Sequence, residues 1–404
     1  MTDSRKESLV ATATGLRELV EHVREERRFA FDTEFVSEDT FEPVLCLIQV
    51  ATSKRLVAVD SLAVADLSPF WDVVLDPDID VVMHASGEDM RICHLRAGSL
   101  PEQVFDVQIA AGLVGYSYPL SHTNLVHQLL RETISGSETR TDWRRRPLSQ
   151  AQVKYALDDV RFLLAMQDKL KAELDRLGRT WWAEAEFKDY LKTIERRADQ
   201  DRWRRLPGLH QLNRRSLEAA RRLSEWREKE ARRQNRPMRQ VMRDDLLTAI
   251  ARRMPGGRRD LEVLRDFNRP GLLSRADEVL AAVAAARETP EDRLPEHLAR
   301  PDDAPGASTV ANLLSAALAQ CCLENHVAGS LVASNADLRS LIRWRLEGRS
   351  ADQLPALADG WRGELCGKLL IDVLDGRATL RVVDPQSEFP VALEPFHNGD
   401  GKGS

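Results

Sequence analysis

The stretch Phe29-Ala30-Phe31-Asp32-Thr33-Glu34-Phe35 decides how the rest of the chain is read. It is an apolar run of strand character that carries two carboxylates two positions apart. Side chains alternate between faces along a strand, so Asp32 and Glu34 point the same way. Like charges side by side on a sheet repel unless a cation joins them. Hard oxygen ligands of this kind suit Mg²⁺ or Mn²⁺. A strand end with one solvated carboxylate is the plainer alternative, and the remaining sequence has to separate the two.

Working outward, residues 14–27 predict a helix capped by Thr14, with Leu16, Leu19, Val20 and Val23 as its apolar stripe. Residues 44–51 and 55–60 predict two further strands, close enough to the first to form a meander. Residues 68–75 predict a helix with Ser68 as cap and Pro69 in its first turn, and residues 80–84 a fourth strand. Gly87 ends that extended run, and Asp89 falls in the first turn of a helix over 88–97. Acidic residues are favoured at helix N-termini in any case, but strand-to-helix junctions are also where open α/β sheets bring ligands. Residues 105–115 predict a short helix, 124–130 a helix capped by Asn124, and 149–170 one long helix capped by Ser149. On that last helix Tyr155 and Asp159 share a face, with Asp158 on a neighbouring one. Trp143 is followed by Arg144, Arg145 and Arg146. Such a group can stack bases and pair with phosphates, or the ring can pack on the core while the arginines reach solvent.

Four carboxylates from three elements, Asp32, Glu34, Asp89 and Asp159, can hold two divalent ions about 3.5–4 Å apart, an arrangement suited to phosphodiester displacement. The Tyr155 hydroxyl, one helical turn from Asp159, can hold the attacking water. At this point the segments FDTEF (31–35), LCLIQVA (45–51), HASGEDMRIC (84–93), TDWRRRPLS (141–149) and YALDDVRFLL (155–164) resemble, in order and spacing, the DEDDy branch of the 3′→5′ exonuclease superfamily. Within that branch the chain is most similar to the ribonuclease D family, over residues 10–195. The resemblance implies a ribonuclease H-like α/β core, a mixed sheet flanked by helices, and two Mg²⁺ or Mn²⁺ ions. It implies that Asp32 and Glu34 form the first motif, Asp89 the second and Asp159 the third, with Tyr155 orienting the water. Phe35 and Gln49 would lie near the terminal base, Trp143 and Arg144 would contact substrate, and His84 would be structural. The implied reaction trims 3′ ends of structured RNA such as tRNA precursors and releases nucleoside 5′-monophosphates. A DNA-directed exonuclease would use the same five residues, and a non-catalytic nucleic-acid-binding protein is the alternative from a different class.

Downstream, residues 196–209 read as a charged connector. Residues 210–290 resemble the helical HRDC domain, 291–309 are a linker rich in Pro, Asp and Gly, and 310–376 form a second HRDC-like helical domain. Residues 377–384 predict a strand, within a C-terminal segment 377–404 that ends in a disordered tail. The net charge of −6 conceals an asymmetry: residues 201–260 hold 18 Lys and Arg against 8 Asp and Glu. A phosphate-tracking basic module is therefore expected. The five cysteines form no C-x-x-C pair and predict buried free thiols in a reducing cytoplasm. Cys321, Cys322 and His326 lack further ligands and read as core. With no signal peptide and no apolar run of membrane length, a cytoplasmic monomer is expected. RNA would be its partner, with no membrane and no obligate protein partner.

Overall fold

Six strands form one mixed sheet: β1 (Lys6–Val10), β2 (Arg28–Val36), β3 (Val44–Ala51), β4 (Arg55–Asp60), β5 (Asp80–Met83) and β6 (Phe105–Asp106), in the order β1-β4-β3-β2-β5-β6. The structure is a computed structural model that describes residues 5–134, 138, 141–199, 201–297, 303–348, 350 and 354–396. β2, β3 and β4 make the expected antiparallel meander, while β1 joins β4, β5 joins β2 and β6 joins β5 in parallel. β2 is therefore internal and is buried on both faces. Phe29 and Phe31 point into the layer formed by α1 (Ala13–Glu26), α2 (Ser68–Val74) and α3 (Gly87–Ala97). There the two rings stack at 5.8 Å and meet Phe70 edge-on. Ala30 points into the opposite layer, with α4 (Val107–Leu113), α6 (Gln150–Arg161) and α7 (Leu163–Arg176), beside α5 (His122–Leu130) and α8 (Thr180–Asp199).

This register exposes the carboxylates. β5 pairs with β2 only over Arg28–Ala30, so β2 runs past the end of β5. Asp32 and Glu34 sit on that overhang, on the Ala30 side by strand alternation. Their partners on β3 are Gln49 and Leu47, and the pairing is irregular between Glu34 and Phe35. Such irregularities bend a strand and re-aim its side chains.

Several local expectations change. Thr12, not Thr14, caps α1, its hydroxyl accepting the Gly15 N–H. Ser68 is the first helical residue rather than the cap, and α5 starts two residues before Asn124, after Ser121. The piece over 105–115 is strand β6 followed by α4, because Asp106 stops the strand and caps the helix. The long helix over 149–170 is two helices broken at Phe162. Ser149 does cap α6, in a reciprocal capping box with Gln152. β1 was not anticipated. α8 runs through Asp199, which shortens the connector.

The segment that follows is helical: α9 (Arg214–Gln234), α10 (Met238–Val241), α11 (Asp244–Arg253), α12 (Arg258–Glu262), α13 (Pro270–Leu273) and α14 (Ala276–Glu288) enclose a core of their own. Many of its arginines pair with carboxylates of the same segment, although the positive excess over 201–260 remains. The buried Glu218 accepts from Arg221 and Arg222, both at 2.7 Å, and Arg227, Arg233, Arg243 and Arg258 pair with Asp244, Glu230, Asp245 and Asp277. The last helices behave differently. α15 (Ala307–Glu324), α16 (Gly329–Val332), α17 (Asn335–Leu346), α18 (Gly360–Arg362) and α19 (Lys368–Leu374) share one continuous core with the sheet domain. Arg179, 8% exposed, donates to the carbonyls of Leu113, Asn325 and His326, and Trp182 stacks on Trp361 at 5.4 Å. Cys321, Cys322 and Cys366 are buried there as free thiols. The strand over 377–384 is half of a hairpin, β7 (Ala378–Val382) with β8 (Val391–Pro395). The predicted tail over 398–404 lies outside the described residues. Among the described residues no helix is long and apolar enough to cross a membrane.

Candidate active site

The overhang of β2 meets α3 and α6, and this brings the four carboxylates within electrostatic reach of one another. Burial, followed by the charges of Asp89, Asp159 and Glu34, pushes Asp32 well above the usual carboxylate range. Burial, then Asp159 and Asp89, raises Glu34 to about 8. Burial raises Asp89 to about 7, opposed by a hydrogen bond of 2.5 Å that it accepts from the Thr33 hydroxyl. Burial and then Asp158 raise Asp159 to about 7, opposed by a hydrogen bond from Tyr155. Asp158 itself turns away to Lys154 and Arg161. Among the described residues no Lys or Arg pairs with Asp32, Glu34 or Asp89. Nor do three His, Cys, Asp or Glu side chains among them converge as ligands on one point. Like charges in a poorly solvated site repel, so these four are close enough to perturb each other without closing into a cluster.

The donor set nevertheless fits hard divalent ions. It offers carboxylate oxygens from three elements, with no competing Lys or Arg among the described residues, and oxygen ligands of this type suit Mg²⁺ or Mn²⁺.

Two features that the sequence did not disclose hold Asp89. Thr33, on the opposite face of β2 from Asp32, reaches it directly. Asp106, 2% exposed, accepts the N–H groups of Ala85, Ser86, Gln108 and Ile109 together with the Ser86 hydroxyl. One carboxylate thus caps α4 and fixes the turn into α3, where Ala85 takes a left-handed φ of 54°. Gly87 is needed in the same turn, since a Cβ there would stand 2.6 Å from the Tyr190 hydroxyl. Asp106→Ala would strand several buried donors and is expected to cost about 3 kcal/mol or more of stability. Chemical denaturation measures this, with Asp106→Asn expected to recover part of the loss. An unchanged midpoint in the alanine variant would show that the turn holds itself.

The proposed substrate contacts divide. Gln49 is fully buried opposite Asp32, with neither amide atom hydrogen-bonded among the described residues. Trp143 is 2% exposed and lies 6.2 Å from the Tyr155 ring. Neither side chain is exposed in this arrangement. Trp143 is buried because Arg146 turns inward, with Arg146 Nη2 to Asp60 Oδ1 at 2.7 Å and Nη1 to the Trp143 carbonyl at 2.7 Å. Arg144 stays accessible, paired with Asp39 and Asp142. Phe35 is partly buried against the α1–α3 layer. His84 bonds the Leu120 carbonyl at 3.0 Å. His122, unremarked in the sequence, places Nδ1 3.8 Å from Asp159, and burial pushes it down to about 3, which leaves it neutral.

Comparison with known proteins agrees with this layout. The 3′-5′ exonuclease family matches residues 8–175, the HRDC domain residues 216–283, and the C-terminal HRDC domain of ribonuclease D residues 305–370. Ribonuclease D of Gluconacetobacter diazotrophicus is 35% identical over 93% of this chain and 94% of its own. That of Escherichia coli is 31% identical over 91% and 98%. The crystal structure of Escherichia coli RNase D, described as an exoribonuclease involved in structured RNA processing, superposes with a TM-score of 0.79 at 30% identity, covering 92% of this chain and 99% of that one. Its α/β exonuclease core and two helical domains, matched along nearly the whole length, mean that this chain belongs to the ribonuclease D family and is a 3′→5′ exoribonuclease.

Proposed function

We propose that this exoribonuclease trims the 3′ ends of structured RNA such as tRNA precursors, releasing nucleoside 5′-monophosphates, and that Asp32, Glu34, Asp89 and Asp159 hold two Mg²⁺ or Mn²⁺ ions. One observation carries the reading: Asp89 and Asp159 push up Asp32 and Glu34 from neighbouring elements, and among the described residues no Lys or Arg pairs with any of the four. Bound divalent ions supply an acidified water and neutralise the leaving oxygen. The chain's own residues supply position. Tyr155, whose hydroxyl reaches Asp159, orients the attacking water by a hydrogen bond. Trp143 backs the Tyr155 ring, and Thr33 keeps Asp89 turned toward β2. The RNA preference is supported by the structured-RNA role of the Escherichia coli relative.

The test is a tRNA with a 3′ extension and a DNA strand of the same sequence, each incubated with and without Mg²⁺ and the products sized. Stepwise shortening of the RNA with mononucleotide release is expected. Faster degradation of the DNA would overturn the substrate assignment.

A further inference from the structure

The loop that leaves β2 is gripped by the first helical domain. Four residues after Glu34, the Glu38 carbonyl accepts from Gln240 Nε2 at 3.2 Å. The Phe41 N–H donates to Asn235 Oδ1 at 3.2 Å, where Asn235 ends α9 in a left-handed conformation with φ 48°. The Phe41 ring is contacted by two guanidiniums, Arg232 at 4.9 Å and Arg202 at 5.7 Å. Glu228 faces both, 3.2 Å from Arg232 and 3.5 Å from Arg202, and so holds the two cations at the ring. On its other side the loop is tied to the sheet domain: Asp39 accepts from Arg144 at 2.9 Å and the Pro43 carbonyl from Arg96, on the helix of Asp89, at 3.2 Å.

The grip has a charge consequence. Arg202 and Arg205 lie at the two ends of one 3₁₀ turn, Arg202–Arg205, and residues three apart on such a turn eclipse. Both are exposed. Many arginines of the first helical domain are matched by its own carboxylates, whereas Arg205 has no carboxylate partner among the described residues. Arg202 touches the Phe41 ring and the unmatched Arg205 lies near enough to Arg202 to feel its charge, so seating the domain on Phe41 holds this positive charge beside the loop that follows Glu34. That charge can bind phosphates of an RNA long enough to reach it and is useless to a very short one.

We propose that the Glu38–Phe41 loop is the dock for the first helical domain, and that Phe41 thereby sets the preference for long RNA over short oligonucleotides. Phe41 is a positioning residue here, and the inference rests on the reading of the site as an RNA 3′-end hydrolase. Phe41→Ala in the full chain is expected to lower kcat/KM on a 3′-extended tRNA about tenfold, through KM, in line with loss of two cation–π contacts. Its rate on an RNA trinucleotide should stay within about twofold, and the salt dependence on tRNA should flatten. Equal losses on both substrates would overturn the proposal, since the loop would then act through the carboxylates. Unchanged kinetics on both would also overturn it. Docking is read independently of activity by hydrogen–deuterium exchange in Arg232→Gln, which leaves the loop sequence intact. Faster exchange over 38–41 is expected, and unchanged exchange would sink the dock even if the protein cleaved no RNA at all.

Discussion

Asp32→Asn is expected to lower Mg²⁺-dependent nucleotide release by about three orders of magnitude or more, while raising the melting temperature of the metal-free protein. The rate loss follows because the carboxylates act as a set, and removing one member of a cooperating set forfeits most of its effect. The stability gain follows from the electrostatics of the same site. Asp32 is held well above the usual range by burial and by Asp89, Asp159 and Glu34. With folded-state pKa values above those of the unfolded chain, the native state binds more protons, so stability falls as pH rises. The contribution of this cluster is fully present below the ordinary carboxylate values of 3.8 and 4.5, and is lost as pH climbs through about 7 for Asp89 and Asp159 and about 8 for Glu34. Asparagine cannot ionise and relieves part of that repulsion. A gain of about 2–4 °C corresponds to roughly 1 kcal/mol in a domain of this size. Calorimetry in EDTA at pH 8, repeated with Mg²⁺, separates the effects: Mg²⁺ should raise the melting temperature of the native protein more than that of the variant. A variant that melts lower than the native protein in EDTA, or keeps a tenth of the activity, would refute the assignment of Asp32.

What could be read from the sequence was what depends on period and spacing. The alternation along Phe29–Phe35 placed Asp32 and Glu34 on one face, and the structure sets them beyond the end of β5. Ser149 announced the start of α6, whose turn carries Tyr155 and Asp159. What could not be read depends on contacts across tens of residues. The Thr33 bond to Asp89 spans 56 positions and requires knowing that α3 packs on the Phe29–Phe31 face of β2, the face to which Thr33 points. Asp106 is recognisable as a helix cap, but its second task, holding Ala85 and Ser86, requires knowing that β6 lies beside β5. Trp143 packs inward because its three arginines are not alike: Arg146 is drawn inward by Asp60, 86 positions away. The basic excess over 201–260 stands, since 8 carboxylates cannot offset 18 Lys and Arg, but which arginines pair is only partly legible. Some pairs lie three or four positions apart, as with Glu218, Arg221 and Arg222, and are visible in the sequence, whereas others, such as Arg227 with Asp244 and Arg258 with Asp277, depend on the fold. Finally, the helices after residue 305 carry the pattern of a separate domain, yet Trp361 completes a core begun by Trp182.

Tyr155→Phe is expected to lower kcat by about 10²–10³-fold with little change in metal affinity, the range typical for loss of a positioned proton-handling group. The substitution removes one oxygen and keeps the ring, so the contact with Trp143 at 6.2 Å survives and α6 stays in register. What is lost is the hydrogen bond from the hydroxyl to Asp159, which opposes the upward push of burial and of Asp158. Without it Asp159 holds its proton somewhat more firmly, a small effect on metal binding that rising pH should erase. The rate loss has a different origin and should persist at high pH and at saturating Mg²⁺, because no side chain then orients the water. Single-turnover cleavage across a Mg²⁺ titration at pH 7 and pH 9 distinguishes the two. If activity returns to the native level once Mg²⁺ saturates, Tyr155 serves only to tune Asp159. If the deficit remains at every metal concentration while half-saturation barely moves, the hydroxyl acts on the water, and the split between the curves at the two pH values measures how much of its work is done through Asp159.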